Sequence, residues 1–233
     1  ILYIARFFRA PGFLPRPPPM DRPGDHLVEP LETRFLVEDV LAAESDPLES
    51  DALPEQRAHR TSARRRFLRV KATQALREVL GELPAAGESV HLISSAKFDF
   101  WTWVPTLIDY LGKTKTLYCS TWTLNRTTAV ELFELWDAGR IGQVVFLTGL
   151  YFKRRETAIY TLLLEGIRRR KGHYRAFRNH AKVLLLDNGR DHLTVEGSAN
   201  LTANPKTEQY AITNDRALWR FHRDWFQEMI AKP

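Results

Sequence analysis

The stretch NHAKVLLLDNGRDHLTVEGSANLT, residues 179–202, decides how this chain is read. His180 and Lys182 stand two apart at the head of an apolar run. Period-two alternation along a strand puts their side chains on one face, and gives Asp187 the opposite parity. Ser198 and Asn200 are again two apart, just past the next β-rich run. A hairpin return over 187–192 brings the two pairs together. An imidazole, an ammonium, a hydroxyl and an amide then surround one small volume. That set suits a phosphate: the ammonium and the neutral donors hold non-bridging oxygens, and an imidazole can attack phosphorus. No carboxylates cluster at neighbouring positions as a magnesium site needs, so the expected chemistry uses no metal and no cofactor.

Working outward, helical spacing begins near Ser62 and runs through Phe67, Val70, Leu76, Val79, Leu80 and Leu83, closed by Pro84 and Gly87. Short β-rich runs follow at 89–95, 116–120, 143–149, 174–178, 181–187, 192–197 and 207–213. Helical patterns occupy 103–112, 125–139 (with Gly139 at C′), 155–170 and 215–230. Strands alternate with helices at first and cluster late. The alternation predicts an α/β fold with some parallel strands and helices on its faces. No internal repeat is visible, so the motif is present once.

The 233 residues are 44% hydrophobic and 27% charged, enough for a buried core and too apolar for global disorder. The formal charge of +6 permits a polyanionic partner. The single cysteine, Cys119, excludes an intramolecular disulfide framework and a Cys-cluster zinc site, and reads as a small buried hydrophobe. No apolar run approaches the roughly 18 residues of a membrane span, so no integral membrane association is expected. Residues 1–60 read as a poorly ordered N-terminal arm. It is basic, aromatic and Pro-rich over 1–19 and acidic over 29–55, before the charge flips at Arg57–Lys71. The first Met is Met20, and the expectation is that the chain starts there. Residues 61–233 read as the catalytic domain.

H-x-K-x4-D followed by G-S-x-N resembles the signature of the phospholipase D superfamily, often called the HKD motif. His180, Lys182 and Asp187 match its first part, and Gly197, Ser198 and Asn200 its second. The resemblance runs from about residue 89 to the end. It implies a phospholipase D-like mixed β-sheet flanked by helices on both faces. Nine residues separate Asp187 from Gly197, more than many members carry, which fits a longer turn around Asn188-Gly189.

The family mechanism uses two such motifs across a pseudo-twofold axis. One histidine attacks phosphorus, and the other protonates the leaving oxygen and then activates water. With one motif, the resemblance implies a homodimer whose site lies on its axis, as in single-motif bacterial nucleases. His180 would be nucleophile in one subunit and general acid/base in the other. Lys182 would neutralise phosphate oxygens, Asn200 would donate to them, and Ser198 would orient or donate. Glu208 would hold the second imidazole nitrogen, and Asp187 would be a structural partner near the site. The remaining histidines, His26, His59, His91, His173, His192 and His222, lack such partners and read as structural or solvent-facing.

A basic region including Lys153, Arg154, Arg155 and 168–171 runs into His180, with Lys171, Arg175 and Arg178 as expected substrate-binding residues. A basic approach to a phosphate-cleaving centre suits a nucleic-acid backbone, DNA or RNA. Trp101, Trp103 and Trp122 follow strands; they can stack on bases or fill the core. The expectation is a cytoplasmic, metal-independent nuclease acting through a phosphohistidine. The competing readings are a phospholipase or phosphatidyltransferase, and a non-catalytic nucleic-acid-binding module of the same fold.

Overall fold

The computed structural model describes residues 4–7, 55–202 and 206–232. The expected start at Met20 and the acidic stretch lie outside the described residues, apart from Glu55 at the head of a helix. The chain divides into two units, Ile1–Arg9 with Arg64–Pro233, and Ala10–Ala63. Of the second unit, 55–63 are described, as the first turns of a helix.

The elements are β1 (Ile4–Phe7), α1 (Glu55–Leu80), β2 (Ser89–Ser95), α2 (Trp103–Leu111), β3 (Thr114–Ser120), α3 (Arg126–Asp137), β4 (Ile141–Gly149), α4 (Leu150–Arg155), α5 (Thr157–Arg169), β5 (His173–Phe177), β6 (Val183–Asp187), β7 (His192–Gly197), β8 (Thr207–Asn214) and α6 (Arg216–Ala231). A 3-10 turn, Phe100–Thr102, leads into α2. Ile4–Phe7, expected in the N-terminal arm, pair antiparallel with β2 at the sheet edge.

The eight strands form one mixed sheet in the order β1-β2-β8-β7-β6-β3-β4-β5. β3, β4 and β5 run parallel, as βα crossovers require, and every other pairing is antiparallel. The larger core lies on one face, where Leu76, Leu107, Leu132, Phe152 and Leu163 of five helices meet Leu117, Phe146, Leu184 and Leu193. On the other face Trp219 and Phe226 of α6 cover Tyr118, Leu147, Val183 and Leu185. β6 is therefore buried throughout, which explains why VLLLD is a continuous apolar run instead of an alternating one. Helices on both faces of a mixed α/β sheet are what the resemblance implied.

Local chemistry marks the ends of these elements. Asn125 Oδ1 accepts from Thr128 N at 2.9 Å, and Asp215 Oδ1 from Leu218 N at 2.8 Å, so both helices open on side-chain caps. Gly139, just past α3, has φ +71°, as a C′ glycine should. The β6–β7 turn is stapled by Asn188 Oδ1, which accepts from Arg190 N (3.0 Å) and Asp191 N (2.8 Å) around Gly189 at φ +95°.

The strand order also positions the site. β5 is the far edge strand, and β6 lies three places inward, beyond β4 and β3. The five residues 178–182 must cross about 14 Å at roughly 4.8 Å per strand spacing. Extended, they reach about 20 Å, so they pass over the ends of β4 and β3 with little slack for a loop.

Candidate active site

The crossing segment is held from below. Asn179, 7% exposed, donates from Nδ2 to Ser120 Oγ (2.9 Å) and toward Thr121 O (3.4 Å), and its Oδ1 accepts from Ala181 N (3.0 Å). Ser120 Oγ in turn donates to Ala181 O at 3.0 Å. The carbonyl of Asn179 sits over Gly149, where a Cβ would meet it at 3.0 Å and Trp122 Cδ1 at 2.5 Å. Only glycine permits this approach of the segment to the end of β4.

With Asn179 fixed, His180 stands exposed at the rim and Lys182, 8% exposed, lies beneath it. Lys182 Nζ donates to the His180 carbonyl at 2.9 Å and lies 2.8 Å from Nδ1 and 3.2 Å from Nε2 of the imidazole. Burial, with the Lys182 charge second, holds the His180 pKa below its ordinary value. Burial also lowers that of Lys182, opposed by the nearby Glu208 carboxylate. The shift of His180 favours a neutral, nucleophilic imidazole.

The second motif segment reaches the same rim. Gly197 N donates to Lys182 O at 3.3 Å. A Cβ at Gly197 would lie 2.7 Å from Tyr210 Cδ1, so the glycine of G-S-x-N is demanded by the buried Tyr210 ring. Ser198 Oγ donates a short hydrogen bond to Glu208 and accepts from Gln209 N at 3.1 Å. Asn200 Oδ1 lies 3.5 Å from Thr121 Oγ1, and Leu201 N donates to that hydroxyl at 3.3 Å. An open depression of about 460 Å³ lies between residues 180–183 and 196–198.

The fold thus brings His180, Lys182, Ser198 and Glu208 together, with Asn200 on the adjoining segment. Glu208 receives the Ser198 hydroxyl, and the imidazole nitrogens face Lys182. Asp187 lies at the other end of β6, about 16 Å from Lys182 at strand rise. There its main chain exchanges hydrogen bonds with Thr114 Oγ1 at 3.0 Å, so it is a partner of β3 and stands apart from the reacting groups.

The expected basic approach divides in two. Lys171 precedes β5 at the opposite rim, beside the carboxy-terminal residues of α5. Arg175 Nη1 donates to Met229 O at 2.8 Å and to Lys232 O, closing the end of α6 instead of facing solvent. Arg178 is exposed at the site end, directly before Asn179. Lys153, Arg154 and Arg155 also start from the site end, on α4. Trp101 and Trp103 are fully buried core residues. Trp122 alone of the three reaches the site, with its ring centroid 5.7 Å from that of His180.

Sequence reasoning passed over Asn179, Ser120, Gly149, Tyr151 and Glu196. Glu196 lines the depression and meets His222 Nε2 at 3.3 Å; that hydrogen bond, chiefly, lowers its carboxyl pKa. Asn179 was legible as the residue next to the motif histidine. The others are joined to the site by topology alone. Among the described residues no group of His, Cys, Asp or Glu is arranged to hold a metal ion, and no helix is long and apolar enough to cross a membrane.

No family model matches the chain, and the comparison with curated proteins returned no match. Among solved structures it is similar to Nuc from Salmonella typhimurium, a phospholipase D family member, at 15% identity, covering 54% of this chain and 85% of that one with a TM-score of 0.42. NucT from Helicobacter pylori aligns at 13% identity over 60% of this chain and 95% of its own, TM-score 0.43. Polyphosphate kinase from Porphyromonas gingivalis aligns at 13% identity over 62% and 26%, TM-score 0.48. Both motif segments of this chain meet at one rim of a mixed α/β sheet that carries helices on both faces.

Proposed function

We propose that the protein is a metal-independent phosphodiesterase of the nuclease type, working as a homodimer through a phosphohistidine. The observation that carries this reading is the exposed His180 imidazole lying 2.8 Å from the Lys182 ammonium above an open depression. In the reaction, one nitrogen of the neutral His180 imidazole attacks phosphorus and forms a P–N bond as the P–O bond to the leaving group breaks. Lys182 transfers its hydrogen bond from the imidazole to a non-bridging oxygen, and its charge offsets the developing negative charge. Asn200 and Ser198 add neutral donors, and Glu208 orients Ser198.

The leaving oxygen takes a proton from the partner subunit's His180. That imidazole, now neutral, removes a proton from water. The hydroxide oxygen attacks phosphorus, the P–N bond breaks, and the first imidazole is regenerated. A single chain carries one such histidine, and its exposure at the rim leaves it free to face a second copy across a twofold axis. The acid that completes the cycle would come from there. Nucleic acid as substrate is supported by Arg178 and the α4 cations at the same rim.

The test is cleavage of DNA and RNA in the presence of EDTA. Cleavage that His180→Ala abolishes, with a dimer mass by light scattering, is the expected result. A well-folded dimer that cleaves neither polymer, or turnover of phospholipid vesicles in place of nucleic acid, overturns the nuclease reading. A monomer that cleaves overturns the shared site.

A further inference from the structure

Gly149 ends β4 beside Trp122, and α4 starts at the next residue, so its first turn stands over the site. Tyr151 of that turn lies parallel to Trp122, with ring centroids 5.1 Å apart and an interplanar angle of 7°. Trp122 then meets the His180 ring at 5.7 Å and 52°. On its other flank, Arg155 holds its guanidinium 5.7 Å from the Tyr151 ring. Tyr151 keeps 44% of its surface exposed, although a large ring on a short surface helix is normally tucked away. A series of flat groups therefore leads from the Arg155 guanidinium to the proposed nucleophile.

The geometry points to this ledge as the seat of an unpaired nucleobase next to the scissile phosphate, which makes single-stranded nucleic acid the substrate class. The inference rests on the nuclease reading and deepens it. A base stacked on Tyr151 and Trp122 sits one nucleotide's reach from His180. The guanidinium of Arg155 can cover the base or pair with the flanking phosphate. Lys153 and Arg154 on the same turn, and Arg178 opposite, supply the charge that follows a phosphate chain. A base inside a duplex has both faces occupied by its neighbours, so the ledge discriminates against it.

The experiment measures binding apart from turnover. The His180→Asn chain, in which the nucleophile is replaced, is titrated by fluorescence anisotropy with a labelled short oligothymidylate and with an abasic phosphodiester of the same length and charge. The expected result is a roughly tenfold tighter grip on the oligothymidylate, the size of one base–aromatic stack. Adding Tyr151→Leu, which keeps apolar volume and loses the flat face, brings the ratio close to one, while Tyr151→Phe keeps it. Equal affinities with Tyr151 in place, no binding of either ligand, or a preference that survives Tyr151→Leu overturns the ledge. Cleavage by the unsubstituted protein without base preference leaves the nuclease reading standing and ends the ledge; base preference without cleavage does the reverse.

Discussion

Lys182 Nζ lies 2.8 Å from His180 Nδ1, so the group proposed to hold a phosphate also bears on the charge state of the proposed nucleophile. An ammonium can donate only to an unprotonated ring nitrogen, and the charge that repels imidazolium adds to the effect of burial. The folded pKa of His180 is below the unfolded one, so its neutral form persists to lower pH. By NMR titration, His180 should have a midpoint below the ordinary imidazole value of about 6.5, and Lys182→Met should move it upward. The acid limb of kcat/KM should follow the same midpoint in the unsubstituted protein.

Asn179 supports the segment that carries the imidazole. Asn179→Ala removes the donor to Ser120 Oγ and leaves the half-buried Ala181 N without its acceptor. Urea unfolding should show a loss of about 1–3 kcal/mol. Activity should fall further than stability predicts, because the crossing keeps Ser120 Oγ to Ala181 O but loses the Asn179 side chain that holds it to the end of β3, and a small displacement of a reacting group is costly.

Gly149→Ala tests the close approach at the end of β4. The new methyl would fall 2.5 Å from Trp122 Cδ1 and 3.0 Å from Asn179 O, so the half-buried indole must shift to admit it. Overpacking of this kind costs about 1–3 kcal/mol. The indole emission should change with the loss of stability, because Trp122 is the group displaced.

Two arginines three residues apart should behave differently. Arg175 is spent on the α6 carbonyls, so Arg175→Ala should lower stability by about 1–2 kcal/mol and leave nucleic-acid affinity and its salt dependence unchanged. Arg178→Ala should spare stability, weaken binding across sequences and reduce the salt slope by about one. Thermal melts and anisotropy titrations at several salt concentrations check both.

Much of this was legible in the sequence because the deciding patterns are local. Residues 89–95 alternate and form β2 over that span, Asn125 caps α3 as its side chain permits, and the Asn188-Gly189 turn lies where the hairpin needs it. His180 and Lys182 precede β6 and meet through the crossing segment, and Asp187, expected near the site, is carried to the far end of β6 by the length of the strand. Helix α4 was passed over. Its six residues, LYFKRR, continue the apolar run of β4 and are too few to display a 3.6-residue period. Lys171 and Arg175 were counted toward the site because they precede His180 closely. A strand lies in between, and it carries Lys171 to the opposite rim, while α6 returns from the end of the chain to claim Arg175. Tyr151 next to Trp122 is a meeting of two parallel strands' ends, which no spacing along the chain encodes.

Tyr210 lies two residues beyond Glu208 on β8, and its ring is enclosed by Phe98, Phe100 and Trp103 at centroid distances of 5.5, 6.0 and 5.7 Å. The same ring bears on Gly197. Carboxylate and hydroxyl are thereby backed by the packed interior through Tyr210 and Gly197. On heating, catalysis should survive intact until the whole domain melts, and the temperature of inactivation and that of cooperative unfolding should coincide.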